Sequence, residues 1–151
     1  MSKADLKRLL MDIPIKLCRT MDHQFVKSIL KDLEINFSQQ HYTILNLLEE
    51  QEHLYLTEFV DILGITKSQM TALIDKLIKM GYVNRNNDIN DRRKIYVSTT
   101  EEGKKITSQI NTAINLKIDN HLSELSKKDS DVLENGLLIL QELCKNCNNE
   151  K

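Results

Sequence analysis

The chain has 151 residues, with 21 Lys+Arg against 22 Asp+Glu and a formal net charge of −1. Apolar residues at 40% and charged residues at 28% exclude a disordered chain, and the length allows one domain whose core needs no disulfide or metal staple. Four Gly and one Pro are too few turn residues for a β-sandwich or barrel and suit long helices.

In the N-terminal segment Leu6, Leu9, Leu10, Ile13, Leu17, Met21, Phe25 and Leu30 recur at mostly three- and four-residue steps, one apolar stripe on a long helix. Pro14 lies inside it and predicts a kink, because proline removes a donor and clashes with the preceding turn. Alternatively, Asp12 caps a fresh helix with Pro14 in its first turn. So long a helix cannot bury its stripe within a small globule, and a partner chain is the simplest cover.

Ser38 is the expected N-cap of a second helix with Tyr42, Ile44, Leu45, Leu47 and Leu48 on its apolar side. Leu54-Tyr55-Leu56 reads as a short extended link. A short helix from Thr57 to Leu63 ends at Gly64, and another starts at Thr66 and ends at Gly81, each glycine suiting a left-handed C′ position. Tyr82–Arg85 and Lys94–Ser98 flank a polar tip, Asn86 to Arg93, and read as a hairpin. A long helix from about Thr100 to Leu122 carries Ile106, Ile110, Ala113, Ile114, Ile118 and Leu122. The last helix begins at Ser126-Lys127-Lys128-Asp129 and carries Val132, Leu133, Leu137, Leu140 and Leu143, before a polar end, Asn146–Lys151, that reads as frayed.

The segment Leu56–Asp75 has the requirements of a helix-turn-helix: Phe59 and Leu63 on one helix, Gly64 at the turn, then Ile65, Met70 and Leu73. Thr66 caps the second helix. On that helix Met70, Leu73, Ile74 and Leu77 share one face, and Ser68, Ala72, Asp75, Lys76 and Lys79 share the other. Short polar side chains at its start let a helix approach base edges, while lysines farther along reach phosphates. An ordinary αα-hairpin would look much the same over this segment.

The following hairpin separates the two readings. Its tip places Arg92, Arg93 and Lys94 in a row after Asp91. A wing laid along the minor groove explains this clustering, because the groove's negative potential attracts arginine. Asp91 would hold Arg92 or Arg93 in a fixed pose through a charge-assisted bond. Residues 66–94 hold seven cations (Lys67, Lys76, Lys79, Arg85, Arg92, Arg93, Lys94) and three anions, a net of +4, which leaves −5 on the remainder. The near-neutral total therefore conceals a basic reading head on an acidic body.

This order of elements, with Asn90-Asp91-Arg92-Arg93 at the tip and Thr100-Glu101-Glu102-Gly103 after the hairpin, resembles the MarR family of bacterial transcription regulators over nearly the whole chain. The resemblance implies an all-α, mainly helical fold with a small β-hairpin wing. Residues 38–103 would form the winged helix-turn-helix, 1–34 and 104–147 a helical dimerisation region, and 148–151 a frayed tail. It implies a homodimer on a pseudo-palindromic double-stranded DNA operator, most often as a repressor, with a small-molecule effector usually releasing the DNA. Ser68, Gln69, Thr71 and Ala72 would then face base edges, and Lys67, Lys76 and Lys79 would touch phosphates. Arg92 and Arg93 would enter the minor groove, with Thr66, Arg85, Asp91 and Lys94 completing the surface. The chain departs from the family pattern at Ala72, where an Arg is frequent, at Thr99-Thr100 in place of Leu-Thr, and at Ile89 in place of a wing-tip Pro.

Cys18 lies in the first helix, where peroxide-sensing relatives of that family carry a reactive cysteine; a redox switch there is the sharper reading and a small core residue the plainer one. Cys144-Lys-Asn-Cys147 is one pair without a second, so no metal site is expected, and Cys144 extends the stripe of Leu140 and Leu143. No phosphate loop or nucleophile elbow points to an enzyme, and no cofactor is expected. The longest aliphatic run, Leu137–Leu140, is far shorter than the roughly 20 residues of a membrane span. With three Cys and no secretory h-region, a cytoplasmic protein is expected. A helical adaptor whose winged lobe does not read DNA is the competing function.

Overall fold

A computed structural model describes residues 2–20, 25–89, 91 and 93–148. Among the described residues seven α-helices and three strands follow one another as α1 (Lys3–Thr20), α2 (Lys27–Asp32), α3 (Gln39–Glu50), β1 (Leu54–Tyr55), α4 (Leu56–Leu63), α5 (Lys67–Lys79), β2 (Val83–Asn87), β3 (Ile95–Thr99), α6 (Glu101–Ser123) and α7 (Lys127–Asn148). The chain forms two compact units, Met1–Ile114 and Asn115–Lys151.

In the first unit, α1 runs through Pro14 without interruption, so Asp12 does not start a fresh helix. The N-terminal stripe changes character along its length. Leu6, Leu9, Leu10, Ile13 and Leu17 are exposed, whereas Phe25, Val26, Ile29 and Leu30 are buried in the unit's own core. Met21 and His23 lie outside the described residues. After α2 the chain turns through Glu34 at φ +55°, with Ile35 N–H donating to the Leu30 carbonyl at 2.8 Å, a Schellman-type stop made without glycine.

Ser38 caps α3 as expected, its backbone N–H donating to Nδ1 of His41 at 3.1 Å. Ile44, Leu45 and Leu48 are buried on the inner side of α3, while Tyr42 and Leu47 are half-buried. Tyr42 donates its hydroxyl to Asn111 Oδ1 on α6 at 2.6 Å, and Asn111 donates to Glu49 Oε2 at 3.0 Å, a polar tie between helices that hydrophobic periodicity does not reveal.

The sheet has the order β1-β3-β2, all antiparallel. Leu54 and Tyr55, expected as a link, pair with Val97 and Tyr96 as a third strand, and Leu56 belongs to α4 instead. Two residues are too few for alternation to announce a strand. Around Phe59, Met70, Ile74, Leu77, Val83 and Val97, all but inaccessible to solvent, α3, α4, α5, the sheet and Ile110 of α6 form one core.

In the second unit Ser126 caps α7, its hydroxyl donating to Asp129 Oδ2 at 2.6 Å and accepting the Asp129 N–H at 3.2 Å. The helix continues to Asn148; residues 149–151 lie outside the described residues. Val132, Leu133, Leu137, Leu140 and Leu143 are all exposed along it. Among the described residues, nothing beyond the adjoining residues and the backbone of α7 itself lies within 4 Å of the place where Gly136 would carry a Cβ.

Candidate nucleic-acid interface

The site is assembled on α5. Gly64 ends α4 at φ +63°, a left-handed conformation that glycine adopts without the penalty of a Cβ, and this turns the chain toward the next helix. Thr66 then caps α5: its hydroxyl accepts the Gln69 N–H at 3.2 Å, and the Gln69 side-chain oxygen accepts the Thr66 N–H at 3.0 Å. This reciprocal cap satisfies two donors that a helix start would otherwise leave open. At the other end Gly81 (φ +76°) lets Tyr82 N–H reach the Leu77 carbonyl at 3.0 Å, which aims the chain into β2.

Met70, Ile74 and Leu77 fix the inner face of α5 in the core, and Leu73 is half-buried. The opposite face is open: Lys67, Ser68, Gln69, Ala72, Asp75, Lys76 and Lys79 are exposed. Thr71 is half-buried, with its hydroxyl donating to the Lys67 carbonyl at 2.9 Å. The helix therefore carries small and short polar groups at its start and lysines toward its end.

Of the six described cations in residues 66–94, two pair with carboxylates of the chain itself. Arg85 Nη2 on β2 lies 2.8 Å from Asp75 Oδ1, joining the exposed face of α5 to the base of the wing. Asp75, ten residues upstream and alone among cations on its helix face, is the signal from which that partner could have been expected. Asp91 Oδ1 accepts both the backbone N–H of Arg93 at 3.1 Å and its Nε at 3.2 Å, one of the two Asp91–arginine pairings expected at the wing tip. Arg92 lies outside the described residues. Lys67, Lys76, Lys79 and Lys94 make no ion pair with the described residues.

Strands β2 and β3 pair from Val83↔Thr99 to Asn87↔Ile95, so the ladder runs farther into the expected tip than the sequence pattern indicates. Next to this hairpin is a cavity of about 390 Å³ lined by Tyr55, Glu58, Lys67, Arg93 and Lys94, among others. Glu58 accepts the Tyr55 N–H at 2.7 Å, and the Tyr55 hydroxyl donates to Asp88 Oδ2 at 2.5 Å. That bond holds the Tyr55 pKa above its ordinary value. In the sequence Tyr55 stands only within the short link Leu54-Tyr55-Leu56, and nothing near it in the chain signals a partner 33 residues away.

Cys18 is exposed on α1 and Cys144 on α7; the Cys147 side chain lies outside the described residues. No helix among the described residues is long and apolar enough to cross a membrane.

A buried-backed helix presented beside a short, cation-bearing hairpin defines a winged helix-turn-helix protein. The family model described as MarR family matches residues 37–95. The uncharacterized HTH-type transcriptional regulator YfiV of Bacillus subtilis is 30% identical over 118 residues, 78% of this chain and 74% of that protein. The transcriptional regulator BldR of Sulfolobus solfataricus has a similar structure, with 27% identity, a TM-score of 0.71, and coverage of 94% of this chain and 99% of that one. A mutant of MarR from E. coli complexed with operator DNA shares the fold at 18% identity and a TM-score of 0.64, covering 92% of this chain and 99% of that one. The chain belongs to the MarR family, and it is a transcriptional regulator of the winged helix-turn-helix type.

Proposed function

We propose that the chain represses transcription as a homodimer on a pseudo-palindromic operator, with one α5 in each of two major grooves and each wing along a neighbouring minor groove. The observation that carries this reading is the open face of α5, where Lys67, Ser68, Gln69 and Ala72 are exposed while Met70 and Ile74 lock the helix from behind. Ser68, Gln69, Thr71 and Ala72 are the groups for base edges, and Lys67, Lys76 and Lys79 the groups for phosphates. Arg93, oriented by Asp91, enters the minor groove, and Arg92 is assigned the same role from the sequence. Thr66 and Arg85 act by holding α5 and the wing, and Lys94 adds a cation beside Arg93. The wide opening of apolar residues on α1 and α7 supports a second copy as their cover. Such a protein works in the cytoplasm, where the DNA is.

A mobility shift with the DNA just upstream of the protein's own gene, at two salt concentrations, tests the reading. Binding should weaken steeply as salt rises, because each phosphate contact releases a counterion. Failure to shift this DNA at low salt would favour the helical adaptor.

A further inference from the structure

We propose that Tyr55 is a positioning residue for the wing: its hydroxyl anchors the chain of carboxylates that fixes Arg93 in its pose toward DNA. The inference rests on the DNA-binding reading above and adds to it a residue that lies outside both α5 and the hairpin.

Arg93 needs such an anchor. Its side chain is 91% exposed, and that of Asp91 is 32% exposed; a surface ion pair of this kind contributes about 0–1 kcal/mol and does not order a loop by itself. The β ladder also stops short of it, since Asn87↔Ile95 is the last pair of strands β2 and β3. Beyond that pair Asp88 N–H donates to the Lys94 carbonyl at 2.9 Å and Lys94 N–H to the Asp91 carbonyl at 2.8 Å.

Two carboxylates extend these bonds to Arg93. Asp88 Oδ1 accepts the Asp91 N–H at 3.0 Å, and Asp91 Oδ1 accepts the Arg93 N–H and Nε. The other oxygen of Asp88 accepts the Tyr55 hydroxyl at 2.5 Å across a separation of 33 residues. Tyr55 is itself well held: its backbone pairs with Tyr96, and its N–H is bonded to Glu58 at the start of α4. The Lys94 ammonium lies 5.8 Å from the centre of the Tyr55 ring, within cation–π range. The tyrosine therefore joins the wing tip to the body of the lobe through a charge-assisted bond, the stronger class of hydrogen bond. Phenylalanine would keep the ring beside Lys94 and lose only the hydroxyl.

The experiment compares full-length wild type, Tyr55→Phe and Arg93→Ala on the upstream DNA by fluorescence anisotropy over a series of salt concentrations. Tyr55→Phe should bind about three- to tenfold more weakly with the salt slope of wild type, because no phosphate contact is removed. Arg93→Ala should lose about one phosphate-equivalent of slope. Without DNA, the Asp91 and Arg93 amides of Tyr55→Phe should exchange with solvent faster than in wild type, while amides of α5 keep their rates. Adding Tyr55→Phe to Asp88→Ala should cost no further affinity, since the anchor is already gone.

A wild type that binds and a Tyr55→Phe variant equal to it in affinity and wing exchange overturn the anchor alone. A reduced salt slope for Tyr55→Phe would assign the hydroxyl a contact with DNA, and faster exchange throughout the lobe would assign it a general folding role; either overturns positioning. Wild type that fails to bind at low salt overturns the DNA reading and, with it, the purpose given to the anchor.

Discussion

At the scale of single residues, the junction of the wing with α6 shows how one sequence feature carries several duties. Thr99 and Thr100 stand where an apolar residue and a threonine are the common pattern, which by itself would mean lost packing. Instead the Thr100 hydroxyl donates to the Gly81 carbonyl at 2.7 Å and accepts the Gly103 N–H at 3.0 Å, capping α6 and closing the loop against the end of α5. Thr99 donates to the Tyr82 carbonyl at 3.4 Å. Gly103 is needed because a Cβ there would overlap that same Tyr82 carbonyl oxygen, a backbone atom with little room to retreat. Gly103→Ala should therefore destabilise the lobe by about 1–3 kcal/mol through overpacking, although alanine is the better helix former by about 1 kcal/mol in an open helix. Urea unfolding of the two proteins, compared at equal slope, checks this.

At the scale of elements, α3 begins with a cap that is also a titrating group. His41 is 5% exposed and meets Phe37 in a tilted contact, with ring centroids 5.9 Å apart. Its Nδ1 accepts the Ser38 N–H, and Nε2 has no hydrogen-bond partner among the described residues. Burial, reinforced by the positive charge of Lys76, depresses its pKa below the ordinary 6.5. Protonation would also remove the lone pair that the Ser38 N–H uses. The unfolded chain therefore binds the proton more readily than the folded one, so stability is complete above about 6.5 and falls as pH drops through 6.5 toward the depressed folded value. His41→Gln, whose amide oxygen serves the same cap, should flatten that part of the stability–pH curve. Chemical unfolding of both proteins between pH 7.5 and 5 measures it, and equal curves would remove His41 from the account. The apolar face of α3 was legible in its spacing, but the histidine's role was not, because burial of a polar ring depends on which elements close over it.

At the scale of the molecule, the exposed leucines of α1 and α7 are the largest departure from the behaviour of a self-sufficient monomer. Leu133, Leu137, Leu140 and Leu143 recur at helical spacing on α7 and remain exposed in the single chain. Apolar surface gains about 25 cal/mol per Å² when removed from water, so a second copy covering such a stripe gains substantially. Placing a charge in it, Leu137→Glu, should shift sedimentation toward monomer at micromolar concentration while the winged lobe keeps its fold. Affinity for a pseudo-palindromic operator should fall, and the salt slope per bound chain should stay near that of one half-site.

By itself the sequence determined the helical class, the caps at Ser38, Thr66 and Ser126, the glycine ends of α4 and α5, the two faces of α5 and the cation-bearing hairpin. These depend on periodicity, on end chemistry and on charge within a few residues, all of which are written along the chain. Tertiary structure alone decided what distance in sequence conceals. It recruited Leu54-Tyr55 as a third strand, joined Asp75 to Arg85, tied Tyr55 to Asp88, and divided one N-terminal stripe into an exposed part and a buried part. A hydrogen bond or ion pair between segments far apart in sequence is chosen by how the core brings them together. The near-zero net charge shows both levels at once. Residue order separates a basic head from an acidic body, and folding then pairs Arg85 with Asp75 and Arg93 with Asp91 while Lys67, Lys76 and Lys79 stay open to solvent.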